Sequence, residues 1–89
     1  MNNPYTETRD GNIILREFSE SVDTDELVWH RDLDERVVIP TECDGWMFQK
    51  DNEAPVEMIP NKAFVIEKEV YHRIIRGSGR LKLKIIEGK

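Results

Sequence analysis

The chain has 89 residues, 38% hydrophobic and 35% charged, with a formal net charge of −5. That length holds one hydrophobic core rather than two, and the acidic balance argues against binding to nucleic acid through an excess of Lys and Arg. The single cysteine, Cys43, excludes an intrachain disulfide and a CxxC metal knuckle. No apolar run is longer than a few residues, as in Val37-Val38-Ile39, so neither a transmembrane helix nor a signal-peptide core fits, and the expectation is a soluble, cytoplasmic protein.

Residues 1–11 are polar and read as a flexible N-terminus, leaving 12–89 as one domain. Residues 12–17 carry Ile13, Ile14 and Leu15 and predict a short strand, followed by an acidic, Ser-rich loop over 18–25. Leu27, Val28 and Trp29 predict a second strand over 26–32. A third covers 36–39 and stops at Pro40. Asp44-Gly45 then turns the chain. Further strands are expected at 46–49, 56–59, 63–66, 71–76 and 81–86, with Gly77-Ser78-Gly79 as a hairpin turn between the last two. Leu81, Leu83 and Ile85 alternate with Lys82 and Lys84, which is the period of a half-buried strand. About eight short strands at regular spacing, punctuated by Gly, Pro, Asn and Asp, predict an all-β antiparallel sandwich or barrel.

Charge is unevenly spread. Residues 1–61 hold five Lys and Arg against fifteen acids, and residues 62–89 hold eight against three. The simplest reading is that the two halves lie against each other and cancel. A basic patch from Arg73, Arg76, Arg80, Lys82 and Lys84 meeting an anionic partner is the sharper one.

The run from Asn61 to His72 resembles the second motif of the cupin superfamily, G-x5-P-x-G-x2-H. Asn61 stands at the first Gly, Glu67 at the Pro, Glu69 at the second Gly, and His72 is in register. Asn accepts the left-handed turn conformation that Gly usually supplies. Trp29-His30-Arg31-Asp32 with the later Gly45-Trp46 resembles the first motif, H-x-H-x3-E. There His30 matches the first histidine, Asp32 replaces the second, and Arg36 stands where the Glu belongs, beside Glu35. The resemblance covers roughly residues 26–86 and implies a small jelly-roll, or double-stranded β-helix, barrel of eight strands.

It also implies a pocket. His30 and Asp32 share one side of a strand and His72 lies on another, so two imidazoles and a carboxylate converge if both faces turn inward. Such a set suits a divalent transition metal, with His30, Asp32, His72 and, if a bulge shifts the strand, Glu35 as ligands. Arg36 argues the other way, because a guanidinium cannot ligate a cation. Turned inward, it pairs with Asp32 and favours a carboxylate-bearing ligand.

Three functions follow. The first, and the one we expect, is a binding module for a small polar or anionic ligand held by His30, Asp32, Arg36 and His72. The second is a metal-dependent enzyme of isomerase or oxygenase type. The third is a structural or interaction protein with an inert pocket. Placing His30 and Asp32 inward turns Trp29 outward, although hydrophobicity alone favours the opposite phase. Trp29, Trp46, Phe48 and Phe64 are most simply core, and Tyr71 faces away from the pocket. Exposed edge strands in so small an all-β chain lead us to expect a homodimer, with Ile13-Ile14-Leu15 as the strand added or exchanged.

Overall fold

The protein, described here by a computed structural model over residues 4–88, is built of eight strands. They are β1 (Tyr5–Asp10), β2 (Ile13–Phe18), β3 (Arg36–Glu42), β4 (Met47–Lys50), β5 (Val56–Glu57), β6 (Phe64–Ile66), β7 (His72–Ile75) and β8 (Leu81–Glu87), with one 3-10 turn at Thr24–Glu26. A five-stranded sheet has the order β1-β2-β8-β3-β6, and a three-stranded sheet the order β5-β4-β7. All pairings are antiparallel. The expected all-β jelly roll is therefore present. Among the described residues no helix is long and apolar enough to cross a membrane.

The core lies between the sheets. Alternation along β8 buries Leu81, Leu83 and Ile85, and β2 and β3 add Ile14, Phe18 and Val38. Trp46, Phe48 and Met58 cover them from the other side. Full burial of a side chain of this size contributes roughly 2 kcal/mol. Trp46 is wholly buried, and its Nε1–H donates to the Gly79 carbonyl at 3.3 Å, so its one polar atom is satisfied.

Several elements differ from the sequence reading. The expected flexible terminus includes a strand, since Tyr5–Asp10 pairs along its whole length with β2; residues 1–3 lie outside the described residues. β1 is an edge strand whose residues after Tyr5 are all exposed, so no apolar alternation marks it in the sequence. Residues 26–32 do not form the expected strand; beyond the 3-10 turn they make a single bridge, between His30 and His72.

β3 continues through Pro40 to Glu42. The Pro40 carbonyl accepts from Asn61 N–H at 2.7 Å, on the side of the strand away from β8. The missing Pro40 N–H faces that same side, beyond the end of the β6 pairing, so the β8 ladder loses nothing.

Gly77-Ser78-Gly79 is not a hairpin turn. It carries the chain from one sheet to the other, since β7 pairs with β4 and β8 with β2 and β3. β2 has neighbours on both sides, so Ile13-Ile14-Leu15 is not free to add to a second molecule.

The C-terminal cations meet the acids of the first half. Arg80 reaches Glu17 at 3.2 Å and Lys82 reaches Glu42 at 3.8 Å. Arg76 donates to the Val22 carbonyl and Arg73 to Gln49, so the five cations of the expected patch are spread over both sheets.

Gly77 lies against the backbone of residues 44–46. A Cβ there would overlap the carbonyl carbon of Gly45 and the nitrogen of Trp46. Gly77→Ala is expected to destabilise the protein by about 3 kcal/mol, because rigid backbone rather than a movable side chain must yield. Urea unfolding checks this; an unchanged midpoint would show that the crossing loop is not tightly seated.

Candidate metal and ligand site

His72 opens β7 and is 3% exposed, with its ring turned into the barrel. The irregular segment after the 3-10 turn runs alongside. His30 N–H donates to the His72 carbonyl at 3.0 Å, and His72 N–H donates back to the His30 carbonyl at 2.9 Å. Two residues on, the Asp32 carbonyl accepts from Glu69 N–H at 2.7 Å. These bonds set the phase of the segment. His30 and Asp32 face the barrel, while Trp29 is 40% exposed beneath Arg73 and Tyr71 is 45% exposed beside Arg31. Of the four aromatics expected in the core, Trp46 and Phe48 are buried and Phe64 packs at its margin, but Trp29 is outside.

Both turn positions of the second motif adopt the left-handed conformation. Asn61 has φ 66° and Glu69 has φ 61°. The glycine positions are thus structurally present without glycine. Glu69 pays a steric cost of order 1 kcal/mol or more for this backbone.

The two imidazoles lie with ring centroids 4.3 Å apart at 66°. Ligand atoms of His30, Asp32 and His72 all fall within 4.8 Å of one another. Each histidine has its Nδ1 on a backbone carbonyl, His72 on Val70 at 2.9 Å and His30 on Val28 at 3.2 Å. A carbonyl only accepts, so Nδ1 carries a proton in both rings, and a neutral ring then offers its Nε2 lone pair. Nε2 of His72 is 3.4 Å from Oδ2 of Asp32. Burial pushes the His72 imidazole below its ordinary pKa, and His30 and Arg36 add to this, against the pull of the Val70 carbonyl and Asp32. A neutral imidazole nitrogen therefore faces a carboxylate oxygen, acceptor to acceptor, an arrangement that a cation between them satisfies. The donor set fits a divalent transition metal.

Arg36 lies beside this group and not within it. Its Nη2 donates to Glu87 Oε2 at 2.8 Å and is 3.7 Å from Oδ1 of Asp32. The two oxygens of Asp32 thus face different neighbours, one the guanidinium and the other His72. Glu87, the Cα partner of Arg36 on β8, also binds Arg9 at 2.7 Å, and Arg9 and Arg36 together hold its carboxyl below the usual range. Much of the Arg36 charge is therefore met by Glu87. Its Nε is buried without a hydrogen-bond partner among the described residues. Glu35, the fourth expected ligand, is exposed and stands outside the group; Gly88 N–H donates to its backbone carbonyl.

The site opens on a cavity of about 290 Å³ walled by Phe18, Phe48, Met58, Phe64 and Ile74. Tyr5 and Arg16 also line it, and the sequence reading gave neither a role. Tyr5 carries no signal because β1 shows no apolar alternation, and Arg16 none because its place at the cavity follows from its pairing with β1. Arg16 lies over the Tyr5 ring at 4.0 Å and pairs with Glu7.

No family model matches the chain, and no curated protein matches it. Solved structures do. A cupin domain protein from Bordetella pertussis is 16% identical, with 100% of this chain and 99% of that one covered and a TM-score of 0.66. A cupin-2 domain containing protein from Shewanella frigidimarina is 18% identical over 100% and 85%, at a TM-score of 0.66. The Fe(II) form of HppE is 9% identical over 94% of this chain and 48% of that one, at a TM-score of 0.70. The chain has the fold of these small cupin structures. At these identities the likeness is one of fold.

Replacing Glu69 by Gly is expected to raise stability slightly, by up to about 1 kcal/mol, since relief of the left-handed strain outweighs the added chain entropy. Thermal melts of Glu69→Gly against wild type decide it; a clear loss would mean that the Glu69 side chain has a stabilising role.

Proposed function

We propose that the protein binds one divalent transition metal through His30, Asp32 and His72 and uses it to hold a small polar or anionic molecule in the adjoining cavity. The observation that carries this reading is the acceptor-to-acceptor approach of His72 Nε2 and Asp32 Oδ2, with His30 beside them. The metal would supply Lewis acidity to a bound oxygen donor. The protein's own residues hold the site in shape. The Val70 carbonyl fixes the tautomer of His72, and Arg36, itself anchored by Glu87, steadies Asp32 from the far side. The apolar wall excludes water from the rest of the ligand. HppE, a similar structure, is described with Fe(II), which supports metal-centred chemistry on this fold.

A second reading, a metal-free pocket in which Arg36 grips an anion between the histidines, is favoured by the unpartnered Nε of Arg36. The two readings separate cleanly. Protein purified without chelator is expected to carry a transition metal, and the apo form to give a d–d absorption spectrum on titration with Co²⁺. His30→Ala, which removes an exposed ligand, should weaken Co²⁺ binding by about tenfold or more. Arg36→Met should retain it. No Co²⁺ binding by the apo protein at concentrations up to about 1 mM, weaker than any affinity worth more than ~4 kcal/mol, would leave the metal-free pocket standing.

A further inference from the structure

Building on the metal reading above, we propose that the molecule held at His30, Asp32 and His72 is a carboxylate with an unbranched hydrocarbon chain, and that the chain crosses from the metal-site cavity into a second cavity behind it. The second cavity measures about 340 Å³. It is lined by β5 and β6, the end strands of the two sheets, and by the turns that lead into them. Phe48, Met58 and Phe64 line both cavities, so the partition between them is one layer of side chains. That partition is apolar, and its parts differ in freedom. The Phe48 ring is packed between two others, Phe64 at 4.6 Å and His72 at 5.7 Å between centroids. The backbone of Met58 is fixed, since its N–H donates to the Trp46 carbonyl at 2.9 Å, but its side chain is unbranched and turns about three bonds. Phe64 is only partly buried. Met58 and Phe64 therefore yield to a chain, while Phe48 stays against His72.

The polarity of the two ends says what kind of molecule spans them. A divalent ion on two neutral imidazoles and one carboxylate keeps a net positive charge, so the near end favours an anionic oxygen donor. Past it, Phe18, Ile74 and the partition give the metal-site cavity apolar walls. The far cavity adds Val56, Ile59 and Val65, which stand 62%, 48% and 39% exposed. Apolar side chains grouped on a concave wall and left open to water mark a place to be covered. The charged residues of that cavity are Lys50 and Lys62 against Glu53, Glu57 and Glu67, and Lys50 is already on Glu67 at 2.9 Å. With acids in excess, the far end opposes a second anionic group and takes uncharged hydrocarbon. A straight chain passes a layer of packed side chains more readily than a ring or a branched group, because it displaces the fewest atoms.

The test is a series of straight-chain carboxylates from acetate to decanoate, kept below micelle-forming concentrations and titrated into Co²⁺-loaded protein with the d–d spectrum as readout. Each methylene that enters the apolar walls should tighten binding by about three- to fourfold. Ala63→Trp fills the far cavity from an exposed residue that lines it and not the metal-site cavity. It should leave acetate binding unchanged and weaken decanoate binding by about tenfold or more, the worth of two methylenes or more. Ala54→Trp, also exposed and lining only the far cavity, should do the same, so that a folding fault in one variant does not decide the matter. Affinity that does not rise with chain length, or decanoate bound as tightly by both variants as by wild type, would overturn the proposal. Failure of the metal reading shows separately, as the absence of a Co²⁺ spectrum in wild type. Calorimetry of decanoate against apo protein then decides the far cavity by itself: binding that both variants weaken supports it, and binding that is absent or indifferent to them overturns it.

Discussion

The pair of backbone hydrogen bonds between His30 and His72 is the constraint on which the site depends. A segment with no regular structure is joined by them to a strand of the smaller sheet. That single bridge fixes which side chains face inward. Shifted by one residue, Trp29 and Arg31 would point into the barrel and both ligand candidates would face solvent. The additional bond from Glu69 to the Asp32 carbonyl is why a glutamate is held in a left-handed conformation: the turn must aim its N–H at that carbonyl. Local strain at Glu69 and alignment of the donor group are one feature seen from two sides.

Electrostatics around the group are arranged in layers. Asp32 is shared between His72 and Arg36, Arg36 between Asp32 and Glu87, and Glu87 between Arg36 and Arg9. This chain of alternating charge runs from the barrel interior to the edge strand, across four strands of primary sequence far apart in number. A guanidinium close to a metal candidate is tolerated because its charge is answered on the side away from the site. Removing Glu87 would therefore be felt at Asp32, though the two residues do not touch.

How much of this was legible in the sequence depends on how locally each feature is encoded. β8 was readable because Leu81, Leu83 and Ile85 alternate with lysines, and Asn61 and His72 because their spacing survives the loss of the motif's glycines. The expected count of eight strands agrees with the structure for partly compensating reasons, since residues 26–32 form no strand and β1 adds one. Leu27, Val28 and Trp29 have high strand propensity, yet propensity records what fits a pleated surface, and here Trp29 finds its cover in the guanidinium of Arg73. The inward phase of His30 and Asp32 went against hydrophobicity and came from the motif alone. Glu87 could not have been found as the anchor of Arg36, because their contact exists only through the β3–β8 register.

That register has a consequence for how the chain acquires its structure. β8 lies between β2 and β3, so the larger sheet has no continuous centre until the eighth strand arrives. The β1–β2 hairpin, and the inner faces of Ile14 and Phe18, wait unpaired through the synthesis of more than sixty intervening residues. Folding is thus dominated by contacts distant in sequence, which makes it slow and late relative to helical domains of this size. During that interval the emerging chain is strongly acidic, since the cations that balance it are concentrated after residue 61. Mutual repulsion between such nascent chains opposes their association while apolar strands are exposed, so the lopsided charge that is neutral to the finished fold acts as a guard on the unfinished one.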